Sequence, residues 1–311
     1  MMEICNINDI KKISYDTAIT VGMFDGVHVG HRHMVRHLAA RAVERGLKPV
    51  VVTFRNHPRS VLKAGEGVSL LTTFEERMEL LESNGVEKVV TMDFDSETAR
   101  LSACEFASQV LVEKLNMKLL LLGYDNKFGS RANDDFGMLP ALGATTGFEI
   151  IHDEPVLVDG VDVSSTKIRK ALADGNIEKA NRMLGIPYRL CGEVVHGRHV
   201  GTALGFPTAN VDVAGAGKVL PAEGVYALRA LVGGDSFAAV GNLGGQPTFG
   251  QEIPTLEVNL VGFDGDLYGR VLAVDFLSRL RDIRRFGSCD ELVAQIGRDK
   301  EECLEKFKVY R

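Results

Sequence analysis

Two histidines three residues apart, His28 and His31, close the glycine-punctuated run Val21-Gly22-Met23-Phe24-Asp25-Gly26-Val27-His28-Val29-Gly30-His31. Histidine side chains stabilise negative charge moving onto phosphate oxygens, and glycines let backbone come close to such a group. Apolar residues from Ala18 onward read as a short buried strand. Beyond His31 the spacing of Met34, Val35, Leu38, Ala39 and Val43 predicts a helix with one apolar face. A strand, a glycine-rich turn and a helix together aim free backbone N–H groups at an anion. Gly22, Phe24, Asp25, Gly26 and Gly30 are therefore candidate phosphate contacts beside the two histidines. His33 and His37, four apart on the same helix, have metal-ligand spacing. No glutamate stands between them in an HExxH pattern, and the sequence offers no evident third ligand.

Three further segments make sense if that turn holds a triphosphate. Thr53-Phe54-Arg55-Asn56-His57-Pro58-Arg59 follows a second apolar strand, and Gly123-Tyr124-Asp125-Asn126-Lys127-Phe128-Gly129 follows a fourth. Ser164-Ser165-Thr166 leads into a helix carrying Lys167 and Arg169, which reads either as simple N-capping or as a second anion cradle. In the second half, Gly192, Gly197, Gly201 and Gly205 surround strand-like segments and lead into Phe206-Pro207-Thr208-Ala209-Asn210. Thr208 and Asn210 point the same way if extended, and their oxygens suit a hard cation such as Mg²⁺. Thr255, Glu257 and Asn259 share one face of an alternating segment. That face is either a solvated strand surface or a place where Glu257 takes a proton from an attacking hydroxyl.

Elements that would position these residues can be read from periodicity. Ala18–Met23, Pro49–Phe54, Lys88–Met92, Lys118–Leu122 and Phe148–His152 are short apolar strands of the buried, parallel kind. Helical patterns alternate with them, and Thr73–Glu76 and Ser102–Glu105 are capping boxes. Such alternation predicts a doubly wound α/β domain with ligands at the carboxyl ends of its strands. Two short helices, Thr166–Ala173 and Ile177–Leu184, follow. Beyond Gly185-Ile186-Pro187 the period shortens. Leu190–Val195, Gly224–Val232, Ser236–Gly241, Thr255–Leu260 and Val271–Phe276 predict a small antiparallel barrel, closed by a helix from Cys289 to about Phe307. The expected domains are 1–184 and 185–311.

Composition excludes several classes of function. The 311 residues carry a formal charge of −6 with no dense basic patch, so no nucleic-acid partner is expected. No apolar run approaches membrane-spanning length, and the first residues lack the basic start and apolar core of a secretory signal. Five scattered cysteines, never in a CxxC pair, fit a reducing, cytoplasmic setting.

The His-x-Gly-His run resembles the signature of nucleotidyltransferases, enzymes that move an adenylyl group from ATP. Taken in order, GMFDGVHVGH, TFRNHPR, GYDNKFG and VSSTKIR resemble the adenylyltransferase half of prokaryotic bifunctional riboflavin kinase/FAD synthetases. GFPTAN, VGNLGGQPTFG, LEVNL, DGDLYG and FLSRLRDIRRF resemble their riboflavin kinase half. The resemblance implies two ATP-dependent reactions, riboflavin to FMN and FMN to FAD with release of pyrophosphate. It implies phosphate contacts by His28, His31, Ser164, Ser165, Thr166 and Arg169, and nucleotide or flavin contacts by His57, Asp125 and Asn126. It further implies Mg²⁺·ATP on Thr208 and Asn210, Glu257 as general base, and flavin near Arg281 and Arg284. The chain departs from the family pattern at Asn126 and Lys127, at Thr202, often an arginine, and at Asn259, often a histidine or tyrosine. Two other readings share these residues: an enzyme retaining one of the two activities, and a flavin-binding regulator without catalysis. A base and a metal pair beside the pockets speak against the regulator.

Overall fold

Short runs of β-branched and leucine residues, buried on both faces, form a parallel sheet only where helices cover each side. The computed structural model of the protein describes residues 1–62, 69–124, 128, 136–197, 206–248 and 251–310. It divides into two compact units, Met1–Val163 and Ser164–Arg311. In the first, β1 (Glu3–Asn6), β2 (Thr17–Val21), β3 (Lys48–Phe54), β4 (Lys88–Met92), β5 (Met117–Leu122) and β6 (Glu149–His152) form one parallel sheet. Its order is β1-β4-β3-β2-β5-β6. From β2 the chain builds outward through β3 and β4, then returns to add β5 and β6 on the other side. The carboxyl ends of β2 and β5 therefore flank the switch in direction, where such sheets bind ligands.

Helices α1 (Val29–Arg45), α2 (Pro58–Leu62), α3 (Phe74–Ser83), α4 (Ala103–Glu105, continuing as a π-helix over Phe106–Val112) and α5 (Leu139–Thr146) alternate with the strands. Both capping boxes form, at Thr73 with Glu76 and at Ser102 with Glu105. Helix α1 buries Met34, Val35, Leu38 and Ala42. Val43, expected on that face, is 79% exposed, because the apolar stripe drifts toward Ala42 in the last turn. The predicted strands recur with ends shifted by one or two residues. The edge strand β1 was not anticipated, since its half-exposed Glu-Ile-Cys-Asn carries no apolar run. A two-stranded ribbon, β7 (Leu157–Val158) with β8 (Val161–Asp162), completes this unit.

The second unit opens with α6 (Ser165–Ala173) and α7 (Ile177–Leu184). A closed antiparallel barrel follows, β10-β13-β12-β11-β14-β9. Its strands are β9 (Tyr188–Val195), β10 (Ala209–Val211), β11 (Gly224–Val232), β12 (Asp235–Thr248), β13 (Gln251–Leu260) and β14 (Val271–Arg281). Helix α8 (Cys289–Val309) packs its buried Cys303 with Ala227, Ala238 and Leu277. Three-residue β10 lies in the Gly/Pro-rich stretch and was missed by periodicity, yet it closes the barrel by pairing with both β9 and β13. Asp275, 1% exposed, accepts from both Arg189 and Arg229 and so cross-links three adjacent strands.

Helices α6 and α7, expected to fall before the domain break, pack as part of the second unit. Buried Asn181 donates to the Phe276 carbonyl at 2.8 Å and accepts from the Tyr188 N–H at 2.8 Å, and Ala222 N–H donates to the Leu172 carbonyl. Replacing Asn181 by Ala leaves a buried N–H and a buried carbonyl unpaired, at about 1–3 kcal/mol for such a group. We predict that Asn181→Ala destabilises the second unit by about 2 kcal/mol in urea unfolding. A change within a few tenths of a kcal/mol would show that these helices do not brace the barrel.

Candidate active site

The turn between β2 and α1 is a strained piece of backbone held from all sides. Phe24 and Val27 adopt left-handed φ values of 52° and 37°, and Gly26 one of 84°. A β-branched residue in that region costs of order 1–3 kcal/mol and persists only where its surroundings dictate it. Here Phe24 and Val27 are both fully buried in the core beneath α1. The Asp25 carboxylate, 3% exposed, accepts from the backbone N–H groups of Leu71 and Thr72, at 2.9 and 3.1 Å to Oδ1. Thr72 Oγ1 in turn accepts from Gly26 N–H. Arg77, 2% exposed on α3, donates to the Met23 carbonyl at 2.6 Å and to the Phe54 carbonyl at 2.7 Å. Phe24 and Asp25, expected to meet phosphate, also hold the shape of the loop.

That shape puts His28 at the N-cap of α1, its Nδ1 accepting from the His31 N–H at 3.3 Å. In the neutral ring this leaves the proton on Nε2. The His28 and His31 rings stack with centroids 3.6 Å apart and 17° between planes. Gly30 leaves room for this stack: a Cβ there would stand a tight 3.2 Å from Nδ1 and Cε1 of His28. Burial pulls His28 down to about 4, with the Arg32 charge adding to it, and burial pulls His31 well below its ordinary value of 6.5. Desolvation likewise lowers Arg77 to about 10, although Asp25 and Glu75 pull the other way. His31 Nδ1, Arg32 Nη2 and Arg77 Nε are all buried without a hydrogen-bond partner among the described residues. A cluster of nitrogens beside a helix N-terminus, two on guanidinium groups, suits an anion.

Other residues singled out for the first reaction come from several elements. His57 is half-buried just after β3, where Asn56 links its loop to the one after β4 through the Phe94 backbone. Asp125 and Asn126 lie outside the described residues. Ser164 is the N-cap of α6 and accepts from the Lys167 N–H at 3.4 Å, and Ser165, Thr166 and Arg169 occupy the first two turns of that helix. All four belong to the second unit.

In the barrel, Glu257 stands between Asn210 of β10 and Asn242 of β12, paired with each in register. Antiparallel partners share a face, so three polar side chains form a row across three strands. Glu257 lines a cavity of about 300 Å³ with Thr208, Asn242, Asn259, Arg281 and Arg284, under an apolar wall that includes Phe206 and Phe286. Asn259, 7% exposed, donates to the Pro207 carbonyl at 2.6 Å, which fixes its amide orientation and leaves Oδ1 buried without a partner. Arg281 is committed to Asp299 of α8 at 2.8 Å, and Arg284 lies 4.8 Å from the Phe286 ring. Gly197 gives the Asn210 amide the room a side chain would fill, while Gly192 passes against the Asp212 carbonyl inside the barrel wall. Gly201 and Gly205 lie outside the described residues. The oxygens of Thr208 and Asn210 are the donor type a hard divalent cation takes.

Sequence reasoning missed Arg77 and Asn242. The signal for Arg77 was its place among Phe74, Met78 and Leu81 at helical spacing, where a cation has no cause to stand unless buried carbonyls await it. Asn242 gave no such signal, because its role depends on cross-strand register.

Comparison with known proteins agrees with both halves. The FAD synthetase family profile matches residues 10–167 and the riboflavin kinase profile residues 184–307. The bifunctional riboflavin kinase/FMN adenylyltransferase of Haemophilus influenzae is 36% identical over 308 residues, spanning 99% of each chain. That of Escherichia coli K12 is 38% identical over 290 residues, 93% of this chain and 92% of the other. The Bacillus subtilis protein is 34% identical over 307 residues, 97% and 96% of the two chains. A crystal structure described as a macrolide-efflux protein from Streptococcus pneumoniae superposes with a TM-score of 0.87 at 33% identity, over 96% of this chain and 97% of that one. Among the described residues here, no helix is long and apolar enough to cross a membrane. With both profiles matched in order and relatives aligned over nearly their whole length, this chain belongs to the family of bifunctional riboflavin kinase/FMN adenylyltransferases.

Proposed function

We propose that the chain phosphorylates riboflavin to FMN in its second half and adenylylates FMN to FAD in its first, with ATP as co-substrate of both. The observation that carries the kinase reading is Glu257, set between Asn210 and Asn242 at the edge of the barrel cavity. The riboflavin 5′-hydroxyl attacks the γ-phosphorus of ATP, Glu257 accepts its proton, and ADP leaves. Thr208 and Asn210 would hold Mg²⁺, which when bound neutralises charge on the phosphate oxygens. Arg281 and Arg284 border the space for the flavin, and the unpartnered Asn259 Oδ1 awaits a ligand donor. For the second reaction, an FMN phosphate oxygen attacks the α-phosphorus of ATP and pyrophosphate departs. His28, His31 and the N–H groups at the start of α1 stabilise the phosphates, and no covalent enzyme intermediate is needed.

Phosphate contacts by Ser164, Ser165, Thr166 and Arg169, and nucleotide or flavin contacts by His57, Asp125 and Asn126, rest on the motifs alone. The functional division is proposed at 184/185; the FAD synthetase profile ends at 167 and the riboflavin kinase profile begins at 184, so most of α6 and α7 lies in neither. A cytoplasmic setting fits five cysteines that form no disulfide.

Incubation with riboflavin, ATP and Mg²⁺, followed by chromatographic separation of the flavins, tests the whole reading: FMN and then FAD should accumulate. Riboflavin bound but unchanged would favour the regulator, and FMN without FAD a single activity.

Glu257→Gln keeps size and hydrogen bonding but removes the base. FMN formation should fall roughly 10²–10⁴-fold, with FAD formation from supplied FMN unchanged. Survival within a few-fold would make Glu257 a strand-face residue only.

At the turn, His28→Asn retains an N-cap acceptor while deleting the imidazole. Adenylylation should drop roughly 10²–10³-fold with the kinase spared. Equal loss of both activities in a folded variant would overturn the division of labour.

The same histidine sets a pH dependence. His28 titrates near 4 when folded, against 6.5 ordinarily, so the unfolded chain takes up the proton first on acidification. Stability present above pH 6.5 is therefore lost as pH falls from 6.5 toward 4, by on the order of 3 kcal/mol, and His31 acts in the same direction. His28→Asn should flatten the unfolding curve measured across that window. An unchanged slope would mean that the ring is solvated.

A further inference from the structure

We propose that His33, His37 and Asp153, none of them assigned to either reaction, bind a divalent transition-metal ion. The two histidines are one turn apart on α1, and the fold supplies the third member that the sequence did not reveal. Asp153 follows β6 directly, its backbone N–H held by the Leu122 carbonyl at 2.7 Å. Its carboxylate, 6% exposed, lies 2.8 Å from His37 Nδ1 and 3.5 Å from His33 Nε2. The three donor atoms all fall within 4.8 Å of one another. Ligands of a tetrahedral ion with bonds near 2.0–2.1 Å stand about 3.3 Å apart, so small side-chain rotations bring these atoms onto one ion. Two imidazoles and one carboxylate select an ion such as Zn²⁺ or Co²⁺ over Mg²⁺, which prefers oxygen throughout. His33 is half exposed, which gives the ion an entry path and leaves the outward position to water.

The arrangement as it stands is a hydrogen-bonded relay. Arg41 Nε donates to His37 Nε2 at 2.9 Å, which places the ring proton on Nδ1, facing Asp153. Coordination through Nδ1 moves that proton to Nε2 and turns Arg41 from acceptable partner to obstacle. Arg41 already reaches Glu44 at 3.1 Å and can pass wholly to it. Arg41 therefore opposes the metal, and its removal strengthens binding. A bound ion joins the first turns of α1, the helix that begins at His28, to the carboxyl end of β6.

The test uses the full-length chain, stripped with a chelator and titrated with Co²⁺, whose visible spectrum separates nitrogen and oxygen ligation from thiolate ligation. One equivalent with nitrogen/oxygen bands is expected, together with a rise in unfolding temperature. His33→Ala, at an exposed position that leaves the fold intact, should weaken binding roughly 10–100-fold and abolish the thermal shift. Arg41→Gln, offering an acceptor to Nε2–H, should tighten it. Absence of Co²⁺ binding, thiolate bands alone, or titrations identical in wild type and His33→Ala would each overturn the proposal.

Discussion

The buried Asp25 carboxylate and Arg77 guanidinium decide the geometry of the first unit. One fastens the middle of the β2–α1 turn to the backbone of Leu71 and Thr72, and the other fastens its start to the end of β3. Without both, Phe24 and Val27 have no reason to remain in left-handed conformations that their side chains disfavour. The turn would relax and α1 would begin elsewhere. The stacked histidines are thus a product of the two buried charged residues that hold the turn.

The barrel solves the same problem by a different route. Its chemistry-bearing side chains sit on strands whose register leaves no freedom, so Glu257, Asn210 and Asn242 are aligned by backbone pairing and not by side-chain clamps. Polar clamps hold the strands and helix around them. Asp275 ties β14 to its neighbours through two arginines, and Asp299 holds Arg281 against α8. Asp275 lies in the barrel wall, whereas the Arg281–Asp299 pair is part of the cavity lining itself.

Much of this was legible in the sequence because local rules and the fold agree there. The glycine turn, both capping boxes, the buried strands and the closing helix all follow from composition and period over a few residues. The alternation of Thr255, Glu257 and Asn259 likewise identified one face of β13. What escaped was set by partners distant in the chain. The part Asp25 plays in holding the turn was hidden because Leu71 and Thr72 lie 46 and 47 residues on. Asp153 is 116 residues from His37. Strand β10 is too short to show a period, and β1 is too exposed to show an apolar run. Phe24 stands inside a motif whose every neighbour suggests ligand, yet its ring belongs to the core.

Among the buried polar atoms without partners in the described residues, His31 Nδ1, Arg32 Nη2 and Arg77 Nε lie around the first turn and Asn259 Oδ1 in the barrel cavity. Each leaves a desolvation cost standing that a bound group of the proposed reactions would relieve. The lifetime of the folded chain is in that sense tied to its metabolites. Ligand that binds only the folded chain would raise its stability when plentiful, and shortage would leave the same chain easier prey for proteases. The enzyme's abundance would then track the supply of what it consumes, with no regulator beyond the unmet hydrogen bonds of its own sites.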